Sequence, residues 1–114
     1  MIPKHIHYVW MGGKPKPFYL RRCIKTFHQK GFDVTEWNEK NFDVNSHPFL
    51  RDAYGKKKWA FVSDFVRMAV IYKYGGIYMD TDVVVVSDLE PLLRHSCFVG
   101  FENDHSPFTA TFGA

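Results

Sequence analysis

At 114 residues, the chain is long enough for one domain with a modest core. A hydrophobic share of 46% and an aromatic share of 18% exclude a disordered chain. A formal charge of +3 is too weak by itself to argue for nucleic-acid binding, and no apolar run reaches the length of a membrane span.

The N-terminus, Met1 to His5, lacks the long apolar stretch of a secretory signal. Cys23 and Cys97 have neither metal-ligand spacing nor the density of a disulfide scaffold. They read as free thiols in a reducing cytoplasm, with a single long-range disulfide as the alternative. His5 to Met11 is rich in β-branched and aromatic residues and reads as a first strand, ending at Gly12-Gly13. His5 and His7 share one strand face. With no third ligand nearby, a structural role is expected for both.

Phe18 to Lys30 is expected to be a helix, with Leu20, Cys23, Ile24 and Phe27 on its inner face and Gly31 as its C-cap. Its basic residues Arg21, Arg22, Lys25 and Lys30 read as a solvated face, with an anion site as the alternative. Phe32 to Trp37 alternates as a second strand, so the opening reads as a βαβ unit and a parallel sheet. Asn38 to Pro48 is polar and loop-like. A short helix from Pro48 to Tyr54 is expected, capped by Asn45 or Ser46. Lys56, Lys57 and Lys58 follow as a solvated turn.

Trp59 to Tyr74 carries the strongest helical period in the chain. Phe61, Phe65, Met68, Ile71 and Tyr72 recur at helical spacing alongside Val62, Ala69 and Val70, and the helix is apolar over much of its circumference, so it should be largely buried. Within it, Asp64 and Arg67 lie one turn apart and can pair. That pair is either structural or aimed at a ligand. Gly75-Gly76 ends the helix and leads into a strand expected to run from Ile77 to Val86, its last residues buried on both faces, with a bend or bulge at Asp80 and Asp82 as an option partway along it. Asp88 to Leu93 reads as a turn or short helix and Cys97 to Glu102 as a further strand. Asn103 to Ala114 shows no convincing closing element. No repeat, linker or low-complexity segment is present.

Asp80 and Asp82 carry the chemistry. Two residues apart on an extended chain, they face one point. Unpaired carboxylates that close repel, and one pKa rises unless a cation lies between them. Oxygen ligands suit Mg²⁺ or Mn²⁺, whose open positions phosphate oxygens can fill. The residues themselves therefore suggest a metal-bridged diphosphate site, with an inert acidic turn as the alternative.

Three motifs in order extend this. Ile2 to Gly13, Ala60 to Arg67, and Tyr74 to Asp82 resemble the signature of Asp-x-Asp sugar-nucleotide glycosyltransferases, the group of bacterial capsular-polysaccharide transferases, yeast mannosyltransferases and clostridial toxin catalytic domains. The resemblance covers Ile2 to about Gly100. It implies an α/β GT-A fold, Rossmann-like and mostly parallel, here a single domain over 1–114 holding the donor half of a longer family domain. It implies metal-dependent transfer, with retention, from a UDP- or GDP-sugar to a saccharide acceptor, as in capsular or exopolysaccharide synthesis. Residue by residue, Trp10 matches the aromatic that stacks on the base. Asp64 and Arg67 match the pair contacting donor sugar and diphosphate, and Tyr78 a donor-site tyrosine. Asp80 matches a contact to ribose, sugar or metal, and Asp82 the direct metal ligand. The resemblance further implies a cytoplasmic setting, at or near the inner membrane face, and self-association through surface the absent half leaves exposed. Two rivals use the same residues. One is a non-catalytic nucleotide-sugar-binding module. The other is a haloacid-dehalogenase-like phosphatase with Asp80 as nucleophile and Asp82 as general acid.

Overall fold

In the computed structural model, which describes residues 1–101 and 106–114, the sheet grows outward from β1 (His5–Val9). β1 alternates between two cores. Ile6 and Tyr8 face α1 (Phe18–Lys25), together with Ile24 and Phe27. Val9 faces the opposite side, where α2 (Pro48–Gly55) and α3 (Trp59–Tyr74) pack through Leu50, Val62, Val66 and Val70. Burying a fully covered aliphatic side chain such as Ile6 or Val66 contributes about 1.5–3 kcal/mol.

β1 pairs in parallel with β2 (Asp33–Trp37) on one side and with β3 (Ile77–Met79) on the other. β5 (Pro107–Gly113) then runs antiparallel to β3, and β4 (Phe98–Phe101) antiparallel to β5. The order is β2-β1-β3-β5-β4, so the sheet is mixed, with only β5 opposing the other strands. α1 crosses on one face between β1 and β2, and α3 returns to β3 on the other. The expected βαβ opening and the flanked α/β sheet are both present.

His7 ties β1 to the end of α3. It is fully buried, and Trp37 Nε1 donates to its Nδ1 at 3.0 Å. That bond places the ring proton on Nε2, which donates to Gly75 O at 2.9 Å. Burial, with a smaller push from His5, lowers the His7 pKa to about 4 against the opposing bond to Gly75, so the ring is neutral at pH 7. His5 stacks on it at 4.0 Å and bonds Thr35 Oγ1. The structural role expected for both histidines holds. Gly76, at φ +112°, is required at this junction, since a Cβ there would lie 2.4 Å from His5 O.

Several expected elements are corrected. α1 stops at Lys25 instead of Lys30. Thr26 Oγ1 donates to Cys23 O, the chain turns, and Phe27 drops into the core; Gly31 at φ +84° serves the turn into β2 and caps no helix. The N-cap of α2 is His47, whose Nδ1 accepts from Phe49 N–H, in place of Asn45 or Ser46. α3 has the expected ends, but its buried stripe is Val62, Val66, Arg67, Val70 and Ile71. Phe61, Met68 and Tyr72 form a second apolar stripe that faces solvent, so the helix is half buried, not wholly. The strand expected over Ile77 to Val86 is three residues long. After Met79 the chain turns, Val83 N–H bonding Asp80 O, and Val84 and Val86 are exposed. Among the described residues no strand pairs with that run, so its β propensity goes unused. The turn or short helix expected over Asp88 to Leu93 is present as a 3₁₀ turn at Glu90–Arg94. β5 supplies the closing element that the sequence did not reveal. Glu102, expected in the last strand, and Asn103 lie outside the described residues.

Candidate functional site

A cleft of about 710 Å³ opens where β1 and β3 end, between a crossover on one face of the sheet and a crossover on the other. This is a topological switch point, the place where open α/β sheets bind ligands. The volume suits a nucleotide-sized ligand. Trp10 follows β1, Asp64 and Arg67 project from the first turns of α3, and Tyr78, Asp80 and Asp82 come from β3 and its turn. All six residues singled out in the sequence line this one cleft.

The floor is a linked polar network. Arg67 is buried at 7% exposure, and its guanidinium lies 4.6 Å from the Tyr78 ring centroid. Nη1 donates to Thr109 O at 2.8 Å and Nε to Ser63 O at 3.3 Å. Nη2 reaches Ser63 Oγ at 2.8 Å, Asp80 Oδ1 at 3.0 Å and Asp64 Oδ1 at 3.4 Å. Tyr78 OH donates to Asp80 Oδ1 at 3.0 Å, so the Ser63 hydroxyl, 3.1 Å away, donates to Tyr78. Burial pushes the Tyr78 phenol well above its ordinary range and keeps it a donor. The Asp64–Arg67 pairing expected from spacing is present, but the shorter ion pair goes to Asp80.

Asp80 is therefore held, not free. Among the described residues every side-chain partner it has is on Oδ1, leaving Oδ2 open to the cleft. Burial raises its pKa, and nearby Asp82 and Asp64 raise it further; Arg67 and Tyr78 pull it down without cancelling the rise. A carboxyl under that repulsion gains from a cation. Among the described residues no three His, Cys, Asp or Glu side chains converge on one point. Asp80 and Asp82 alone offer a hard, oxygen-only donor set. That fits Mg²⁺ or Mn²⁺ provided a ligand's phosphate oxygens and waters complete the shell. Of the extended and bent geometries open in the sequence, the chain takes the bend at Asp80-Thr81-Asp82, so the two carboxylates share the cleft through a turn and not through strand alternation.

Trp10 lines the opposite wall, its Nε1 donating to Lys14 O at 2.7 Å. The loop that follows is fixed by residues the sequence did not single out. Glu39 Oε2 accepts from Gly12 N–H at 2.8 Å and from Tyr54 OH at 2.9 Å. A Cβ on Gly12, at φ +98°, would lie 2.9 Å from the Trp59 ring, so only glycine lets the loop approach α3 this closely. Ser63 stood inside the Ser-Asp-x-x-Arg segment and was within reach of a helical-wheel argument, four residues before Arg67. Thr109 carried no local signal, because β5 brings it in from 42 residues away.

Comparison with known proteins agrees with this geometry. Residues 14–99 match the family model described as a glycosyltransferase sugar-binding region containing the DXD motif. The chain is 29% identical over 105 residues to an inositol phosphoceramide mannosyltransferase of Schizosaccharomyces pombe, covering 86% of this chain and 29% of that protein. It is 35% identical over 103 residues to an uncharacterized glycosyltransferase of Acanthamoeba polyphaga mimivirus, covering 82% of this chain and 40% of that protein. A human alpha-1,4-N-acetylglucosaminyltransferase shares 50% identity over 36 residues, covering 31% of this chain and 11% of that protein. The chain thus spans less than half the length of these relatives. Its match extends over most of the sequence, and on that ground the chain belongs to the glycosyltransferase family with the DXD-containing sugar-binding region.

Proposed function

We propose that this chain binds the donor of a metal-dependent glycosyltransferase, a UDP- or GDP-sugar, for transfer to a saccharide acceptor. The observation that carries the reading is the convergence of Trp10, Asp64, Arg67, Tyr78, Asp80 and Asp82 on one cleft at the strand ends. Trp10 offers an aromatic face to the base. The exposed carboxylate of Asp64 accepts hydrogen bonds from sugar hydroxyls. Asp80 and Asp82 are the residues that would hold Mn²⁺ or Mg²⁺, with the donor's diphosphate completing the shell. When bound, that ion supplies Lewis-acid neutralisation of the diphosphate leaving group. The resemblance gives Arg67 a contact to the donor sugar and diphosphate, and its hydrogen bonds support a second, positioning role. Its donors are committed to Ser63, Thr109 and the two aspartates, so it acts as a fixed positive charge that orients Asp80. Tyr78 braces the same oxygen from below and keeps Oδ2 turned outward.

Family membership favours this over the phosphatase reading of the same aspartates. For the acceptor, the sequence resemblance supports a capsular or exopolysaccharide chain, while the name of the S. pombe relative supports an inositol phosphoceramide. Cys23 and Cys97 are both free thiols, which supports a cytoplasmic setting. Self-association has its candidate surface in the exposed stripe of Phe61, Met68 and Tyr72, and sedimentation over a concentration series reads it.

The test is calorimetric titration of the chain with UDP and GDP, with Mn²⁺ and with EDTA. Metal-dependent binding to one nucleotide is expected. It should fall by at least ~100-fold in Asp80→Asn and Asp82→Asn, since even indirect metal contacts are worth 10–100-fold. Parent-like binding in both variants removes the site. Metal-dependent binding with neither transfer nor donor hydrolysis identifies a binding module instead.

A further inference from the structure

Charge is divided unevenly along the chain. Residues 1–32 carry seven Lys and Arg and no Asp or Glu, leaving eight basic against twelve acidic residues in the rest. Much of that charge gathers on α1. Phe18, Arg21, Arg22 and Lys25 recur at helical spacing and are all exposed, while Leu20 and Ile24 face the core. Phe18 is 67% exposed, and the guanidinium carbons of Arg21 and Arg22 each lie 5.8 Å from its ring centroid. An uncovered aromatic at the start of the helix thus carries two guanidinium groups against its ring, with Lys25 further along the same exposed face. Among the described residues, Arg21, Arg22 and Lys25 form no ion pair, whereas Lys4 and Lys16 are paired to Glu90 and Glu36. Beside this face, a groove of about 290 Å³ is lined by Lys16, Arg21, Lys25 and His28.

We propose that the outer face of α1 docks on an anionic bilayer surface, Phe18 entering the headgroup layer while Arg21, Arg22 and Lys25 meet lipid phosphates. Cations flanking an exposed aromatic suit an interface that is charged outside and apolar beneath. A nucleic acid would use the cations and stack a base on Phe18, but one ring at the end of this face gives no row of platforms for successive bases. No helix among the described residues is long and apolar enough to cross a membrane, so this contact is peripheral. Docking would also orient the cleft. Tyr19 and Leu20, on the same short helix, line the cleft mouth, so donor and membrane would face each other across α1.

The test is cosedimentation of the chain with vesicles of phosphatidylcholine alone and of phosphatidylcholine with phosphatidylserine. Binding to the mixed vesicles only, weakened by salt, is expected. The triple variant Arg21→Gln/Arg22→Gln/Lys25→Gln should bind on the order of 100-fold less, from about fivefold per cation. Phe18→Ala should lose on the order of 10-fold, the effect of leaving one partly inserted ring in water. The control Lys56→Gln/Lys57→Gln/Lys58→Gln removes the same net charge from the turn between α2 and α3, helices of the other sheet face, and should bind as the parent does. Equal loss in both triple variants, no binding to the mixed vesicles, or binding to an RNA oligonucleotide without binding to vesicles would overturn the proposal. Nucleotide titration of the α1 variants should match the parent, which separates this result from the fate of the donor site.

Discussion

Two polar networks lie buried on the α3 side of the sheet, and they are built differently. Around His7 every group is matched: Trp37 donates in, Gly75 O accepts out, and the ring stays neutral. Around Arg67 the matching is incomplete. One guanidinium faces Asp80 and Asp64 with Asp82 nearby, the Asp80 carboxyl is pushed up, and Oδ2 has no partner among the described residues. A closed network holds the fold. An open one, with surplus negative charge and a spare oxygen in a cleft, is arranged for something to bind.

The sharpest way to break the comparison is Arg67→Met. Removing one partner of a buried ion pair costs about 3–5 kcal/mol, and the lower end applies because the Asp80 side chain keeps 27% of its surface in water. Urea unfolding should show that loss, and metal-dependent nucleotide binding should fall with it. A stable variant with intact binding would mean that Arg67 neither orients Asp80 nor supports the fold.

His7 should give the opposite pattern. His7→Ala leaves the Trp37 N–H and the Gly75 carbonyl unmatched, each worth about 1–3 kcal/mol, while nucleotide affinity in the folded fraction stays unchanged. Acid separates the networks further. The His7 pKa falls from 6.5 to about 4 on folding, so the unfolded chain binds the proton more tightly. The contribution of His7 is complete above about pH 6.5 and is lost as pH falls towards 4, by roughly 3 kcal/mol in all. Asp80 runs the other way. Its folded pKa is raised, so the folded state binds the extra proton, and its contribution declines as pH rises from 3.8 through the folded value. Guanidinium melts of the parent and His7→Ala between pH 7 and 4 should converge on acidification. Parallel curves would remove His7 as the cause.

Trp10→Ala tests the ligand side alone. It should weaken nucleotide binding by about 1–3 kcal/mol, one stacked base, with little change in stability. The smallest effect is expected at Val84→Thr and Val86→Thr, within ±0.5 kcal/mol by thermal unfolding, because both valines are exposed beyond the turn. A larger loss would mean that the Val83 to Val86 run packs as the strand its composition suggested.

That valine run shows where the sequence stopped being readable. Trp59 to Tyr74 was legible to its ends because a helix satisfies its own backbone. A strand needs neighbours, and nothing local says whether a neighbour exists. Hence Val83 to Val86 looked like a strand and is not, while Pro107–Gly113 looked unstructured yet fills the gap between β3 and β4. In α3 an apolar circumference gave no sign of which stripe faces inward: Val62, Val70 and Ile71 pack against the sheet, while Phe61, Met68 and Tyr72, equally periodic, face solvent. In the cleft, residues carrying distinctive chemistry were legible from the motifs. What was not legible was their wiring. Thr109 as a partner of Arg67, and Glu39 as the clasp of Gly12, depend on elements that meet only after folding.

The three tryptophans of the chain divide between these two regions. Trp37 is buried and bonded to His7, while Trp10 and Trp59 line the cleft. Intrinsic emission therefore has two separable sources. A protonated imidazole quenches a neighbouring indole, so the buried component should dim as His7 titrates, without a change of wavelength. A ligand entering the cleft should instead shift and quench the solvent-facing component. With Trp37→Phe to silence one source and Trp10→Phe/Trp59→Phe to silence the other, the same cuvette would follow the proton and the nucleotide independently, with no added dye.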